Sequence, residues 1–263
     1  MKTIINWKVF WLLWIASILA TIAVLPYVLE MQSSAVDLTK LGLPLSLIVT
    51  LQIVQNAILC AIAIFAGLFL AKRVGLGSPI LEDITRGESI ANKFQAVLPL
   101  SMILGVLSTL IVLALEFFYF QPVMSKEFGN TAAALSLQTA QPAAWKGFLA
   151  SFYGGIVEEI LLRLFVMSLL VWLGKIISKT ADGKPTSAVF WSANILAAVL
   201  FGLGHLPATS MLVPLTPVVI TRAIALNGLI GIACGWLYWK RGLEAAMISH
   251  FSADLVLHVL LAL

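Results

Sequence analysis

The hydrophobic and polar positions of this chain alternate in long blocks, with apolar runs separated by short polar segments. A helix needs about 20 consecutive apolar residues to cross the hydrocarbon core of a bilayer. Seven runs reach or approach that length: 9–29, 44–71, 96–120, 148–173, 188–205, 212–239 and 243–262. The pattern predicts an all-α, polytopic membrane helix bundle with about seven transmembrane helices, or eight with a re-entrant or interfacial segment. It is expected to form a single integral membrane domain over residues 1–263.

Basic residues concentrate on one side of the predicted bundle. The loops before the first run and after the second, fourth and sixth carry Lys2, Lys8, Lys72, Arg73, Arg86, Lys93, Lys175, Lys179, Lys184, Lys240 and Arg241. The opposite loops carry Lys40, Lys126 and Lys146. Because cytoplasmic loops are enriched in Lys and Arg, the N-terminus is expected in the cytoplasm. The first apolar run is too long for a signal peptide and is interpreted as an uncleaved span of a multi-pass protein of the cell (inner) membrane.

Composition excludes a soluble protein. Hydrophobic residues make up 61% of the chain and charged residues 11%, against about 25% charged residues in soluble domains. The net charge of +4 is spread over the loops, so it indicates topology and not a nucleic-acid partner. Cys60 and Cys234 lie inside apolar runs and form no disulfide or metal-binding motif. No nucleotide-binding P-loop, G-x-S-x-G or H-E-x-x-H motif occurs, and no nucleotide partner is expected.

Ionisable residues nevertheless occur within the predicted spans. A charge at the centre of a membrane helix costs about 2.5–3.5 kcal/mol on insertion scales, so such residues face the protein interior and are functional candidates. They are Glu158, Glu159, Arg163, His205, Arg222, His250, Asp254 and His258, and they include all 3 histidines of the chain. Glu116 lies near the outer end of the third run, where an interfacial position is expected.

Helical spacing separates the three ionisable residues of the fourth run. Glu159 and Arg163 are four residues apart and share one face, which favours an ion pair. Glu158 is rotated by about 100° from Glu159, so it is interpreted as the free carboxylate. The alternative is that all three residues form one static ion-pair network.

The seventh run carries His250, Asp254 and His258 at four-residue intervals, on one stripe of the helix. Such residues can share a metal ion or donate hydrogen bonds to a reacting group, although His258 is more often a hydrogen-bonded core residue. Glu158, His250 and Asp254 are expected near the middle of the bilayer and His205 nearer the outer surface. Either the fifth span starts later than predicted, or the segment after His205 re-enters the membrane.

The intramembrane carboxylates and imidazoles are compatible with three functions. They could hydrolyse a bond, with Glu158 and His205 activating water and His250 and Asp254 stabilising an oxyanion, or with some of these residues holding a metal. They could relay protons in a proton-coupled transporter. They could also form a structural network in a non-proteolytic scaffold or immunity protein. Residue types alone support hydrolase and transporter about equally.

Three motifs in order resemble a known family. The segments VEEILLR (157–163), FGLGH (201–205) and GWLYWKRGLEAAMISHFSAD (235–254) resemble E-E-x-x-x-R, F-x-x-x-H and H-x-x-x-N/D. These are the motifs of the CAAX-protease and bacteriocin-processing (CPBP, Abi) family of intramembrane endopeptidases. The resemblance covers about residues 150–258.

The resemblance implies a role for each motif residue. Glu158 would activate water together with His205, and His250 and Asp254 would stabilise the transition state. Glu159, Arg163 and Phe201 occupy the supporting positions.

The chain departs from the family pattern at three positions. Leu162 and Leu164 replace the frequent Phe and Gly beside the arginine, and Asp254 stands where many members have Asn. An ionised Asp cannot donate a hydrogen bond, so Asp254 is expected to be protonated, to orient His250 or to ligate a metal. A divalent metal such as zinc is one expectation, with Glu158, His205, His250 and Asp254 as candidate ligands.

The sequence hypothesis is thus a bacterial or archaeal intramembrane endopeptidase. Its expected partners are a peptide or membrane-protein substrate and the lipid bilayer. Residues 1–147 are interpreted as accessory N-terminal helices and residues 148–263 as the catalytic helices.

Overall fold

A computed structural model describes residues 5–35, 44–129 and 142–263 of the chain. Within these ranges the predicted all-α architecture is confirmed, and an isolated antiparallel bridge between Lys179 and Pro185 is the only β pairing. The α-helices are α1 (Trp7–Ala35), α2 (Leu45–Val74), α3 (Pro79–Arg86), α4 (Ala91–Leu115), α5 (Gln121–Phe128), α6 (Ala144–Phe152), α7 (Ser168–Ile177), α8 (Ser187–Gly204), α9 (Leu206–Ser210), α10 (Pro217–Arg241) and α11 (Leu243–Asp254). Wider π-helical turns cover Glu116–Phe120, Tyr153–Glu158, Ile160–Met167 and Leu255–Val259, and Leu260–Ala262 is a 3₁₀ turn.

Seven helical stretches of the described residues are long and apolar enough to cross a membrane. We call them spans 1 to 7: Trp7–Met31, Leu45–Val74, Ala91–Phe128, Ala144–Ile177, Ser187–Ser210, Pro217–Arg241 and Leu243–Ala262. Their number confirms the polytopic bundle. Span 6 starts later than the predicted residue 212, because Pro217 is well suited to a first helical position. The Thr216 hydroxyl caps this start by accepting a hydrogen bond from Val219 N–H at 3.5 Å.

Span 4 lies at the centre of the bundle and contacts spans 1, 2, 5, 6 and 7. Val157, Ile160 and Leu164 on this span are 0% exposed. Two π-helical segments, Tyr153–Glu158 and Ile160–Met167, follow one another here and flank Glu159. Such i→i+5 turns are rare and occur often at functional sites. The central span therefore combines fully buried positions with irregular helical geometry.

An ion pair inside the bundle joins spans 3 and 6. Arg222 donates from Nε to Glu116 Oε2 at 2.8 Å and from Nη2 to Glu116 Oε1 at 2.9 Å. Glu116 is 1% exposed, so its carboxylate is buried among the helices, while its expected interfacial depth stays a prediction. A guanidinium within a span needs an anion, and the two parallel hydrogen bonds satisfy both groups.

The short helix α3, between spans 2 and 3, is bound to the start of span 7. Glu244 Oε1 accepts a hydrogen bond from Leu81 N–H at 2.7 Å, which satisfies one of the free N–H groups at the start of α3. Asp83 of α3 accepts hydrogen bonds from Lys93 of α4 and from Arg86. These cations hold the pKa of its carboxyl below the ordinary value. These contacts attach the loop between spans 2 and 3 to the same end of the bundle.

Candidate active site

A cavity of about 500 Å³ lies within the bundle and is bordered by residues of spans 1, 2, 4, 5, 6 and 7. The four residues predicted to be catalytic all line this cavity: Glu158, His205, His250 and Asp254. The structure thus brings together residues that are separated by up to 96 positions in the chain, because spans 4, 5 and 7 pack around one space.

His250 makes the closest contacts of this group. Its Nδ1 lies 2.7 Å from Glu159 Oε1, whereas its Nε2 lies 3.6 Å from Glu158 Oε2 and 3.7 Å from Asp254 Oδ1. Because an ionised carboxylate can only accept, the short contact makes Nδ1–H the donor to Glu159. This hydrogen bond sets the orientation of the ring and turns Nε2 toward Glu158 and Asp254.

Glu159 forms the ion pair that its spacing from Arg163 predicts. Arg163 Nη1 lies 3.2 Å from Glu159 Oε1, and the two side chains are 1% and 0% exposed. Arg163 Nη2 also donates to the carbonyl of Gly231 in span 6 at 2.9 Å. Sequence reasoning assigned Glu159 to Arg163 alone and missed its hydrogen bond to His250. No local pattern could have revealed that bond, because it depends on how span 7 is placed against span 4.

Glu158 has a different environment from its neighbour. Its side chain is 24% exposed, and in the described part of the chain no Lys or Arg forms an ion pair with it. In the contacts described, Glu158 is linked to Glu159 and Arg163 only through the His250 ring, so direct pairing within span 4 is limited to Glu159 and Arg163. Glu158 presents a carboxylate to the cavity, with His250 Nε2 as its nearest ionisable neighbour among the contacts described.

His205 lies at the junction of α8 and α9. Its Nδ1 is 2.9 Å from the carbonyl oxygen of Phe201, so Nδ1–H donates and Nε2 of the neutral ring keeps a lone pair. Span 5 continues as a helix to Ser210, so it extends past the predicted end at His205. The Phe201 ring, 5% exposed, lies edge-on to both His205 and His250, with centroid separations of 4.8 and 5.5 Å. Phe201 thus occupies the packing position that the second motif implies.

Asp254 reaches the cavity because span 4 has a glycine opposite it. A Cβ atom at Gly154 would overlap Asp254 Oδ2 and would lie 3.2 Å from His250 Nε2. Any larger residue at this position must displace the carboxylate. The close approach of Gly154 therefore determines how near Asp254 and His250 can come to Glu158.

The structure groups potential metal ligands differently from the sequence. Of the residues described, the one set of three or more whose ligand atoms lie within 4.8 Å of one another is Glu159, Cys234 and His250. Only His250 belongs to the predicted metal ligands. This set fits a cation poorly, because Glu159 Oε1 is already 3.2 Å from the Arg163 guanidinium and accepts the His250 hydrogen bond. Metal assistance stays a prediction.

Several polar residues of the cavity were missed by a search for ionisable groups. Span 1 contributes Tyr27, whose hydroxyl is 3.2 Å from Nδ1 of His258. The other members are Thr21, Gln52, Gln55, Asn56, Tyr153 and Asn227. His258 also borders the cavity, so the stripe of His250, Asp254 and His258 faces it as a whole. The sequence did contain an indication that span 2 borders the cavity, because three amide residues interrupt its hydrophobic run: Gln52, Gln55 and Asn56.

Comparison with known proteins agrees with the motifs. Residues 140–256 match the family model described as type II CAAX prenyl endopeptidase Rce1-like. The matched segment contains all three motifs and confirms the resemblance drawn from them. No curated protein and no solved structure matches the chain.

Proposed function

We propose that this multi-pass membrane protein, whose segment 140–256 matches the Rce1-like family model, hydrolyses peptide bonds within the bilayer. The observation that carries the proposal is the position of Glu158. Its carboxylate borders a cavity together with His205, forms no ion pair with a Lys or Arg of the described residues, and lies 3.6 Å from Nε2 of a histidine that Glu159 orients. Carboxylate and imidazole groups in such an arrangement can act as general base and electrostatic stabiliser.

In this mechanism Glu158 takes one proton from water. His205 accepts a hydrogen bond from the second O–H through the lone pair of Nε2. The water oxygen attacks the carbonyl carbon of the substrate, forming a C–O bond and an oxyanion. When the C–N bond breaks, the proton held by Glu158 passes to the leaving amine. One water and one amide thereby become a carboxylic acid and an amine.

His250 stabilises the oxyanion in the same scheme. With both ring nitrogens protonated, it donates from Nδ1 to Glu159 and from Nε2 to the developing negative charge. The carboxylates of Glu158, Glu159 and Asp254 favour this cationic ring by Coulomb attraction. Asp254 Oδ1 lies 3.7 Å from Nε2, and in this scheme Asp254 orients the ring. This role requires no hydrogen-bond donation from the carboxylate.

The substrates proposed are peptides or membrane-protein segments that enter the cavity from the bilayer or from its surface. The proposed setting is the cell (inner) membrane of a bacterium or archaeon. The N-terminus is proposed to face the cytoplasm, because the loops that hold most of the basic residues then lie on the cytoplasmic side.

Proteolysis is tested with wild-type protein and His205→Ala, each purified and reconstituted into lipid nanodiscs. Both are incubated with a pool of quenched fluorescent peptides, and products are identified by mass spectrometry. We expect new peptide termini with the wild type and a rate at least about 10²-fold lower with His205→Ala. Equal cleavage by both proteins contradicts the mechanism. Proton-coupled flux into sealed vesicles without any hydrolysis product indicates a transporter instead.

Gly154→Ala should lower kcat while the protein stays folded. The added methyl group displaces Asp254 and crowds His250 Nε2, and small misplacements of reacting groups cost about 10²-fold in rate. The matched control is Gly204→Ala, because a Cβ atom there meets no heavy atom within 4 Å. Measured kcat and KM on one peptide, with thermal unfolding of each variant, check the prediction. A wild-type kcat for Gly154→Ala contradicts it.

A further inference from the structure

A row of amide side chains from span 2 forms one wall of the cavity. It consists of Gln52, Gln55 and Asn56, which we call the amide wall. The three residues are spaced i, i+3 and i+4, so they lie on one face of the helix. They border the same cavity as Glu158 and His205. The wall lies outside the segment 140–256 that matches the family model.

The amides of the wall are not used to hold the helices together. Within the described ranges, neither Gln52 nor Gln55 forms a side-chain hydrogen bond, and Asn56 Nδ2 donates to the Tyr153 hydroxyl over a long 3.4 Å. Asn194 provides the contrast, since it is 1% exposed and donates to the carbonyl of Ile232 at 3.0 Å. A polar group at membrane depth is costly unless it finds a partner. Gln52 is half-buried and Gln55 is exposed, and both border the cavity, so their free hydrogen-bonding capacity is available to a molecule there.

The chemistry of an amide identifies the kind of molecule that satisfies it. Each Gln or Asn side chain offers N–H donors and a carbonyl acceptor, which is the complement of a peptide group. An isoprenoid or acyl chain offers neither and would leave the wall unpaired. Gln52 and Asn56 are separated by about 6 Å along the helix axis. This spacing is close to the roughly 6.8 Å after which an extended peptide presents groups to the same side again.

We propose that the amide wall binds the main chain of the substrate peptide in an extended conformation and so positions it beside Glu158. The inference rests on the proposed peptidase function and adds to it a binding subsite contributed by span 2. Recognition of the main chain accepts many side-chain sequences. The same subsite can receive a soluble peptide or a segment of a membrane protein, because both offer the same peptide groups.

Binding is measured without cleavage, in nanodiscs, on a Glu158→Gln background. The probe is a fluorescent apolar octapeptide, offered free in solution and fused behind a transmembrane helix. The form of the probe that binds more tightly shows whether the substrate comes from solution or from the membrane. On this background we expect Gln52→Leu and Gln55→Leu each to weaken binding of that probe by about fivefold for every hydrogen bond lost. Gln95→Leu, an exposed glutamine of α4 that does not border the cavity, should leave binding unchanged.

A second probe tests whether the main chain is what the wall recognises. The same octapeptide with alternate N-methylated peptide groups should bind the background protein weakly and should be insensitive to Gln52→Leu. The inference is overturned if Gln52→Leu and Gln55→Leu bind the unmodified probe as well as the background does, or if both probes lose affinity equally. Failure of the proposed function looks different: the wild type then fails to cleave the octapeptide, while Gln52-dependent binding persists.

Discussion

Glu158→Gln is expected to abolish peptide cleavage while the helix bundle stays folded. The substitution keeps the size of the side chain and its carbonyl oxygen but removes the group that accepts a proton from water. General-base catalysis contributes about 10²–10⁴-fold to rate, so residual activity should fall by that factor. Little stability should be lost, because Glu158 is 24% exposed and forms no ion pair with a Lys or Arg of the described residues. Rates of peptide hydrolysis in nanodiscs and the unfolding temperature are the two measurements.

Glu127→Gln is the matched control for this experiment. Glu127 is an exposed residue of α5 and does not border the cavity, so its variant should hydrolyse peptide at the wild-type rate. The interpretation of Glu158 as the general base is wrong if Glu158→Gln retains wild-type kcat. It is also wrong if activity is lost only in parallel with a lowered unfolding temperature.

Arg163→Leu should both destabilise the protein and inactivate it. The change removes the guanidinium 3.2 Å from Glu159 Oε1 and leaves a carboxylate that is 0% exposed with the His250 ring as its remaining partner. Removing one partner of a buried ion pair costs about 3–5 kcal/mol. Chemical or thermal unfolding in detergent measures this cost, and peptide hydrolysis measures the accompanying loss of activity.

The double variant Glu159→Leu/Arg163→Leu separates the two effects. With both charges gone, a large part of the lost stability should return, because apolar residues can replace a buried pair without penalty. Activity should not return, since His250 Nδ1 has lost the acceptor that lies 2.7 Å away. A stable and fully active double variant shows that Glu159 does not orient His250. A double variant as unstable as the single one shows that the pair is not the source of the effect.

The first two spans contribute more to the cavity than their interpretation as accessory helices implies. Tyr27 comes from span 1 and contacts His258, and the amide wall comes from span 2. The family match begins only at residue 140. Residues on both sides of that boundary therefore enclose one space, and the first two spans form part of the wall around the motif residues.

Features of the site that depend on one helix could be predicted from the sequence. The Glu159–Arg163 ion pair is an example, because a separation of four residues fixes a shared face. The selection of Glu158, His205, His250 and Asp254 followed from the high cost of ionisable groups in hydrocarbon, together with the three motifs. All four border the cavity in the structure. Their chemical roles stay predictions until the variants are measured.

Contacts between helices could not be predicted in the same way. The pairing of Glu116 with Arg222 joins residues 106 positions apart, and the hydrogen bond from His250 to Glu159 joins residues 91 positions apart. Both depend on the rotation and depth of one span relative to another. The start of span 6 at Pro217 was also missed, because hydrophobicity continues through residues 212–216 while the helix does not.

The sequence by itself determined the class of the protein, the number of its membrane helices and the short list of polar residues that could react. It did so because the bilayer imposes a length on every span and a penalty on every unpaired charge, and both act on local sequence. Only the tertiary structure decided which side chains of other spans surround Glu158 and Glu159. It also decided that Glu159 orients His250 and that span 2 faces Glu158 with amides. Those outcomes depend on side-chain packing between spans, which leaves no periodic pattern along the chain.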